Sequence, residues 1–213
     1  IQCVTGPGGS VGDAISADPR VRKISFTGSR DIGEHICKTA GLKKVTMELG
    51  SNSPLIVMAD ADLEKVAAAT ASSGFANAGQ VCISAQRILV NEAIYTDFLD
   101  VLKPTIEELT TGNPMDENTK MGPMIRERDA ERVESWIQDA VSGGARLVTG
   151  GTREGTLHAP TVVADVDPSM RVSCDEIFGP AVAVSQFDDI DRAIAVANDT
   201  NYGLSAAIFT ENI

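Results

Sequence analysis

Short apolar runs alternate along the chain with longer segments in which apolar residues recur every three or four positions. The short runs predict strands, the longer segments predict helices, and this alternation is typical of strand–helix–strand units. The sequence therefore predicts an α/β fold with a largely parallel sheet flanked by helices. Strands are predicted at residues 1–5, 22–27, 44–50, 54–58, 86–90, 145–149, 160–164, 180–187 and 206–210. Helices are predicted after the turn that follows the first strand, in the segment that ends at Gly41, from Asp60 or Asp62 to about Asn77, and at residues 95–109, 126–142 and 189–197.

The segment Gly50-Ser51-Asn52-Ser53 separates two predicted strands and favours a domain boundary there, between residues 1–50 and residues 51–213. The chain opens on Ile1 rather than on a methionine, and its first and last residues both read as strands that continue further. We therefore expect the chain to be a large piece of a longer protein.

Composition narrows the possible partners. The 30 acidic residues outnumber the 18 basic ones and give a formal net charge of −12. This charge repels nucleic acid and anionic membranes, so we expect neither as a partner. No apolar run approaches the roughly 20 residues of a membrane span. The four cysteines form no CxxC pair, which argues against a zinc site or a disulfide scaffold and favours a reducing, cytoplasmic location.

Cys82 is the most interesting candidate for chemistry. The chain has only two histidines, His35 and His158, so few residues could form a catalytic Cys-His or Ser-His pair. We expect His158 to be a half-exposed loop residue. A thiol without such a partner must be activated by its surroundings, and Gly79 allows a tight turn whose amide groups converge near the sulfur of Cys82. Composition and loop position alone favour the alternative, a buried and inert cysteine.

Several stretches together resemble a known family. Phe75-Ala76-Asn77-Ala78-Gly79-Gln80-Val81-Cys82 closely resembles the nucleophile segment of the NAD(P)-dependent aldehyde dehydrogenase superfamily. Further matching stretches are Phe26-Thr27-Gly28-Ser29 with Gly33, Met47-Glu48-Leu49-Gly50-Ser51-Asn52-Ser53-Pro54, Glu176-Ile177-Phe178-Gly179-Pro180, Met121-Gly122-Pro123 and Asn201-Tyr202-Gly203-Leu204. The main stretches occur in the family's order over nearly the whole chain, which makes the resemblance specific.

The resemblance implies a fold and a reaction. The fold is a three-layer catalytic domain at residues 51–213 and, at residues 1–50, part of a Rossmann-like dinucleotide-binding domain. The reaction is oxidation of an aldehyde to a carboxylic acid with NAD or NADP as cofactor. Cys82 would attack the aldehyde to form a thiohemiacetal and then a thioester, and Glu48 would be the general base of thioester hydrolysis. No metal is implied.

The resemblance also implies residues that bind the cofactor. Glu176 would bind the ribose hydroxyls of the nicotinamide half, and Phe178 would pack beside the ring. In the turn formed by Gly28, Ser29 and the helix bearing Gly33, the serine would contact the pyrophosphate, although it could equally be a plain helix cap. A second glycine-rich turn, Gly6 to Gly12, departs from the GxGxxG spacing and is a weak signal.

Other parts of the family pattern lie outside this sequence. They are the asparagine that completes the oxyanion hole, the groups that bind the adenosine ribose, and the strand used for oligomerisation. We therefore expect the isolated chain to be inactive and the full-length parent to be a homo-oligomer. Two alternatives remain: a CoA-acylating relative, against which Glu48 argues, and a non-catalytic structural relative. The sequence names neither the aldehyde nor the choice between NAD and NADP.

Overall fold

The computed structural model describes residues 1–212. The chain divides into two compact units, one comprising Ile1–Gly50 and the other beginning at Ser51. The division falls within the segment of small polar residues that separates two strands.

The first unit consists of two helix–strand pairs. Its elements are α1 (Gly8–Ala17), β1 (Lys23–Thr27), α2 (Arg30–Ala40) and β2 (Lys44–Glu48). The two strands are parallel, with Thr27 opposite Glu48 at their carboxyl ends. Helix α2 buries Ile36 and Ala40, and it ends at Gly41, whose φ of 60° is readily adopted by glycine.

The predicted strand at residues 1–5 is wrong. Ile1 and Val4 are exposed, and within the described residues this segment pairs with no strand. A strand is stable only when its backbone groups are hydrogen-bonded to a neighbour, so an apolar run alone does not establish one.

The second unit is larger and has the following elements: β3 (Pro54–Val57), α3 (Leu63–Phe75), β4 (Arg87–Asn91), α4 (Tyr95–Glu107), α5 (Glu127–Ser142), β5 (Arg146–Thr149), β6 (Arg153–Glu154), β7 (Leu157–His158), β8 (Thr161–Ala164), α6 (Arg171–Cys174), β9 (Ala181–Phe187), α7 (Ile190–Asn198) and β10 (Ala207–Phe209). Short 3₁₀ turns occupy Ala76–Gly79 and Glu92–Ile94. The strands and helices predicted beyond residue 50 are confirmed to within a few residues, whereas the β6–β7 pair and α6 were not predicted.

Six strands form the main sheet in the order β10-β3-β4-β9-β8-β5. All neighbouring strands are parallel except β5 and β8, which are antiparallel. Parallel strands begin and end together, so the loops that follow their carboxyl ends share one edge of the sheet, and the loops that lead into them share the other. The segments that enter β4 and β9 are therefore neighbours, and both carry predicted site residues.

The sheet is covered on both faces. Leu55 and Ile88 belong to a large core that includes Val66 of α3 and Phe98 of α4. The residues that alternate with them on the strands, such as Ile56 and Leu89, form a smaller core with Phe187 and Ala193. Helices on each side of a mostly parallel sheet make a three-layer α/β unit, which confirms the predicted class.

Two helices show how local sequence acts. The carboxylate of Asp62 accepts a hydrogen bond from the backbone nitrogen of Lys65 at 3.2 Å and caps α3. Helix α4 continues through the exposed Pro104 to Glu107, although proline removes a backbone donor there. In residues 1–212 no helix is both long enough and apolar enough to cross a membrane.

Candidate active site

The loop that carries Cys82 begins with an unusual backbone. Asn77, Ala78 and Gly79 follow α3 with φ values of 50°, 55° and 68°. This left-handed region is ordinary for glycine and strained for alanine. Such strain persists only where surrounding contacts hold it in place.

Gln80 supplies several of those contacts. Its amide nitrogen donates to the carbonyl oxygen of Asn77 at 3.1 Å, and its Oε1 accepts from the backbone nitrogen of Ile125 at 3.0 Å. The side chain of Asn77 donates in return to the carbonyl oxygen of Gln80 at 3.3 Å. The loop is thus closed on itself and fastened to the segment that precedes α5.

Cys82 lies in a tight turn. The backbone nitrogen of Ser84 donates to the carbonyl oxygen of Val81 at 3.0 Å, and the Ser84 hydroxyl contacts the carbonyl oxygens of Ser73 and Gly74 at the end of α3. Cys82 is half-buried, whereas the other three cysteines are exposed. Its backbone N–H makes no hydrogen bond within the described residues, so it is available as a donor.

Glu176 lies in the segment between α6 and β9. Its Oε1 accepts a hydrogen bond from the backbone nitrogen of Ser51 at 2.9 Å, while Oε2 has no hydrogen-bond partner in the part of the chain described. Burial raises the pKa of Glu176, and the Ser51 N–H and the Arg132 guanidinium oppose this rise. Phe178, two residues further on, is exposed and has a φ of 44°, so its ring stands at the surface of the unit.

Two residues that the sequence reasoning missed hold the Glu176 segment. The buried side chain of Gln86 donates to the carbonyl oxygen of Asp175 at 2.6 Å and accepts from the backbone nitrogen of Ile177 at 2.7 Å. The guanidinium of Arg132 donates to the carbonyl oxygen of Ile177 at 2.6 Å. Neither residue stands out in sequence, because both act through contacts with residues 45 or more positions away.

The Cys82 loop and the Glu176 segment are in direct contact. A Cβ atom on Gly79 would overlap the carbonyl group of Gly179, so a larger residue cannot occupy position 79 without moving one backbone. Val81, Glu176 and Phe178 are among the residues that line the narrow cleft between the two segments. Its free volume is about 10 Å³, roughly the space of one water molecule.

The remaining predicted site residues belong to the first unit. Ser29 occupies the N-cap position of α2, is exposed, and makes no capping hydrogen bond with its hydroxyl. The backbone nitrogen of Gly28 donates to the carbonyl oxygen of Glu48 at 3.1 Å, which joins the ends of β1 and β2. The side chain of Glu48 is exposed. Gly33 is buried against Leu49, where a Cβ atom would lie 2.6 Å from its Cδ2.

His158 differs from its predicted setting. Only 1% of its surface is exposed, and its Nδ1 lies 2.8 Å from the carbonyl oxygen of Ala159. A carbonyl can only accept, so Nδ1 carries the proton and Nε2, which is buried without a partner, does not. The expectation of a half-exposed residue is wrong because His158 pairs with Arg153 in the β6–β7 ladder, whose contacts the local sequence did not indicate. Among residues 1–212, no group of three or more His, Cys, Asp and Glu side chains is placed to hold a metal ion.

Comparison with known proteins places these features in a family. A family model described as "Aldehyde dehydrogenase family" matches residues 1–213. The chain is 49% identical over its whole length to the 3-sulfolactaldehyde dehydrogenase of Priestia aryabhattai, and it covers 45% of that protein.

Solved structures agree with this match. The glyceraldehyde-3-phosphate dehydrogenase of Methanocaldococcus jannaschii, complexed with NADP, superposes with a TM-score of 0.95 at 42% identity, over 99% of this chain and 46% of that one. The betaine aldehyde dehydrogenase of Staphylococcus aureus, complexed with NAD⁺, gives 0.94 at 36% identity, over 98% of this chain and 43% of that one. The chain thus spans a little under half the length of these relatives.

Proposed function

Since the chain belongs to the aldehyde dehydrogenase family, we propose that the whole protein to which it belongs oxidises an aldehyde to a carboxylic acid with NAD or NADP as cofactor. The observation that carries the proposal is the direct contact between the Cys82 loop and the Glu176 segment. This contact joins the loop that bears the Cys82 thiol to the segment that bears a carboxylate and an aromatic ring suited to a nucleotide.

Cys82 is the proposed nucleophile. Its thiolate attacks the carbonyl carbon of the aldehyde, so that a C–S bond forms and the carbonyl oxygen becomes the oxyanion of a thiohemiacetal. The unpaired N–H of Cys82 is one donor for that oxyanion. The strained, heavily bonded backbone before Cys82 supports this role, because it keeps the turn in one conformation.

The cofactor is assigned to two sets of residues. Glu176 has one carboxylate oxygen without a hydrogen-bond partner within the described chain, which fits a ribose diol, and the exposed ring of Phe178 fits the nicotinamide half. In the first unit, the uncapped N-terminus of α2 with Ser29 suits a pyrophosphate, and Gly28 and Gly33 keep the turn free of side chains. When bound by these residues, NAD(P)⁺ would supply the hydride acceptor needed to convert the thiohemiacetal on Cys82 to the thioester.

Glu48 is the proposed general base of the second half-reaction. It takes a proton from a water molecule as the water oxygen attacks the thioester carbon, and the C–S bond breaks to release the carboxylic acid and the Cys82 thiolate. Glu48 is exposed at the carboxyl end of β2, where water reaches it.

We assign residues 1–50 to the dinucleotide-binding domain and residues 51–213 to the catalytic domain.

The proposal is tested on the whole protein with a panel of aldehydes and both cofactors. The panel includes 3-sulfolactaldehyde, glyceraldehyde 3-phosphate and betaine aldehyde, which the names of the relatives suggest. Formation of NAD(P)H that depends on the aldehyde, and that disappears in Cys82→Ala but persists in the control Cys174→Ala, supports it. Equal activity of Cys82→Ala and wild type contradicts it.

Two further measurements test whether the thioester is hydrolysed and whether the protein forms an oligomer. Omitting coenzyme A distinguishes hydrolysis from acyl transfer, and we expect full turnover without it. Sedimentation of the whole protein tests the expectation that it forms a homo-oligomer, which rests on the family resemblance. A strict requirement for coenzyme A would contradict the role of Glu48.

A further inference from the structure

We propose that Gln86 is a positioning residue that fixes the carboxylate of Glu176 for the ribose of the cofactor. The inference rests on the proposed cofactor role of Glu176. Gln86 is proposed to act through the peptide groups on both sides of Glu176 rather than through a contact of its own with the cofactor.

The side-chain amide of Gln86 is bonded to both neighbours of Glu176. Its Nε2 donates to the carbonyl oxygen of Asp175 at 2.6 Å, and its Oε1 accepts from the backbone nitrogen of Ile177 at 2.7 Å. A primary amide offers one donor and one acceptor side by side, as a neighbouring strand would. Gln86 thus pairs with the two peptide groups that flank Glu176 in the way that one β-strand pairs with its neighbour.

The orientation of the Gln86 amide follows from its partners. A carbonyl oxygen can only accept and an N–H can only donate, so the nitrogen must face Asp175 and the oxygen must face Ile177. The side chain is 4% exposed, so water does not substitute for these bonds. Loss of the side-chain amide would leave a buried N–H without a partner, which is costly enough to move the segment.

The backbone of Gln86 is fixed as well. Its nitrogen donates to the carbonyl oxygen of Ser53 at 3.2 Å, and its carbonyl oxygen accepts from the backbone nitrogen of Ala183 at 2.8 Å, where the strands β3, β4 and β9 are adjacent. Gln86 therefore connects the Glu176 segment to the hydrogen-bonded strands of the central sheet. A rigid support of this kind is what a site needs to hold a group in a productive position.

Three other residues support Glu176 and its segment. Ser51 donates its backbone N–H to the carboxylate, Asn52 donates its side-chain amide to the carbonyl oxygen of Asp175 at 3.3 Å, and Arg132 donates to the carbonyl oxygen of Ile177 while its guanidinium lies over the Trp136 ring at 4.7 Å. None of these three bonds to both of the peptide groups that flank Glu176. Gln86 reaches both sides, and it lies four residues after Cys82 in the chain, so the same short stretch bears the nucleophile and orients the cofactor carboxylate.

The expected consequence is a selective loss of cofactor binding. Gln86→Met keeps the length of the side chain and removes both hydrogen bonds, and Gln86→Glu keeps the acceptor but places an oxygen against the carbonyl of Asp175. We expect each variant to raise the dissociation constant of the cofactor about 5–10-fold, the effect of losing roughly one net hydrogen bond. The KM for the cofactor should rise more than kcat falls, and the KM for the aldehyde should change little.

The experiment measures cofactor binding by calorimetry in the absence of aldehyde, on the whole protein, together with hydrogen exchange of the Ile177 amide. The matched control is Tyr95→Phe, which also removes buried side-chain hydrogen bonds of the second unit, here to Asp165 and to the carbonyl oxygen of Val184. Tyr95→Phe should leave the dissociation constant of the cofactor within about twofold of wild type and should leave the Ile177 amide protected. Weaker cofactor binding and faster Ile177 exchange in the Gln86 variants alone support the proposal.

The Glu176→Gln variant, measured in parallel, distinguishes a failure of the proposed Gln86 role from a failure of the proposed cofactor role of Glu176. If Glu176→Gln weakens cofactor binding but both Gln86 variants bind as wild type does, the positioning role is overturned while the proposed function stands. If Glu176→Gln also binds as wild type does, the cofactor role of Glu176 fails, and the role of Gln86 fails with it. Should Gln86→Met not fold, the isosteric Gln86→Glu decides between these outcomes.

Discussion

The α-carbon of Gly79 packs directly against the carbonyl group of Gly179, with no room for a side chain between them. Gly79 belongs to the loop that carries Cys82, and Gly179 belongs to the segment that carries Glu176 and Phe178. The two halves of the candidate site in the second unit are therefore joined backbone to backbone. Their spacing does not depend on flexible side chains, which is a favourable basis for a reaction between a thiolate-bound substrate and a cofactor.

Gly79→Ala should destabilise the second unit. The substitution places a Cβ against a backbone carbonyl and also requires a left-handed conformation, which by itself costs about 1–2 kcal/mol. The control Gly155→Ala has a similar φ of 57° but open space around the Cβ. Urea denaturation should show a clearly larger loss of unfolding free energy for Gly79→Ala. Equal losses would mean that the contact with Gly179 is unimportant.

Glu176→Gln should stabilise the protein near neutral pH. Burial raises the folded-state pKa of Glu176 above its unfolded value of 4.5, so its ionisation opposes folding once the pH exceeds that value. Glutamine still accepts the Ser51 hydrogen bond but carries no charge. The gain in melting temperature over wild type should be present at pH 7, should shrink as the pH falls toward 4.5, and should be constant at lower pH, where Glu176 is protonated in both the folded and the unfolded state. A gain that grows on acidification would contradict this assignment.

His158 should make stability depend on pH near neutrality. Burial lowers its folded-state pKa, so below the unfolded value of 6.5 the unfolded chain takes up a proton that the native state does not. Stability should therefore be complete above pH 6.5 and decline on acidification, by at most about 1.4 kcal/mol per pH unit. In His158→Gln this component of the decline should be absent. Parallel pH profiles of the two proteins would exclude a buried, neutral histidine.

Cys82 should be the most reactive of the four thiols at neutral pH. Cys3, Cys37 and Cys174 are more exposed and serve as internal controls. Partial desolvation of its sulfur and the negative charge of the neighbouring Asp175 raise the pKa of Cys174, which disfavours its thiolate. Iodoacetamide in equimolar amount, followed by peptide mass spectrometry, should modify Cys82 faster than the others, as its proposed role as the nucleophile requires. Slow and equal modification of all four would indicate an ordinary thiol.

Features set by local sequence were predicted well. The strand–helix order of the second unit follows from hydrophobic periodicity, and Gly41 and Asp62 end and begin helices as their residue types predict. The loop position of Cys82 follows from the glycine before it and the strand after it. These features depend on residues within a few positions of one another, which is why a single sequence reveals them.

Features that depend on distant partners were not predicted. The run at residues 1–5 has strand composition but no strand pairing within the described residues, and His158 is buried by contacts that its neighbours in sequence do not indicate. Gln86 illustrates the limit most clearly. It reads as an ordinary polar residue at the start of a strand, yet the hydrogen-bond partners of its side chain lie 86, 89 and 91 positions further along the chain.

In the proposed mechanism, Cys82 carries the acyl group and Glu48 activates the water molecule that releases it. The direct measurement mixes the Glu48→Gln variant of the whole protein with its aldehyde and cofactor and follows both NAD(P)H and the mass of each cysteine peptide. Hydrolysis should slow by about 10²–10⁴-fold. We predict a burst of one NAD(P)H per site and a matching acyl group on the Cys82 peptide. Undiminished turnover, or an acyl group on Cys3, Cys37 or Cys174 instead, would contradict the account.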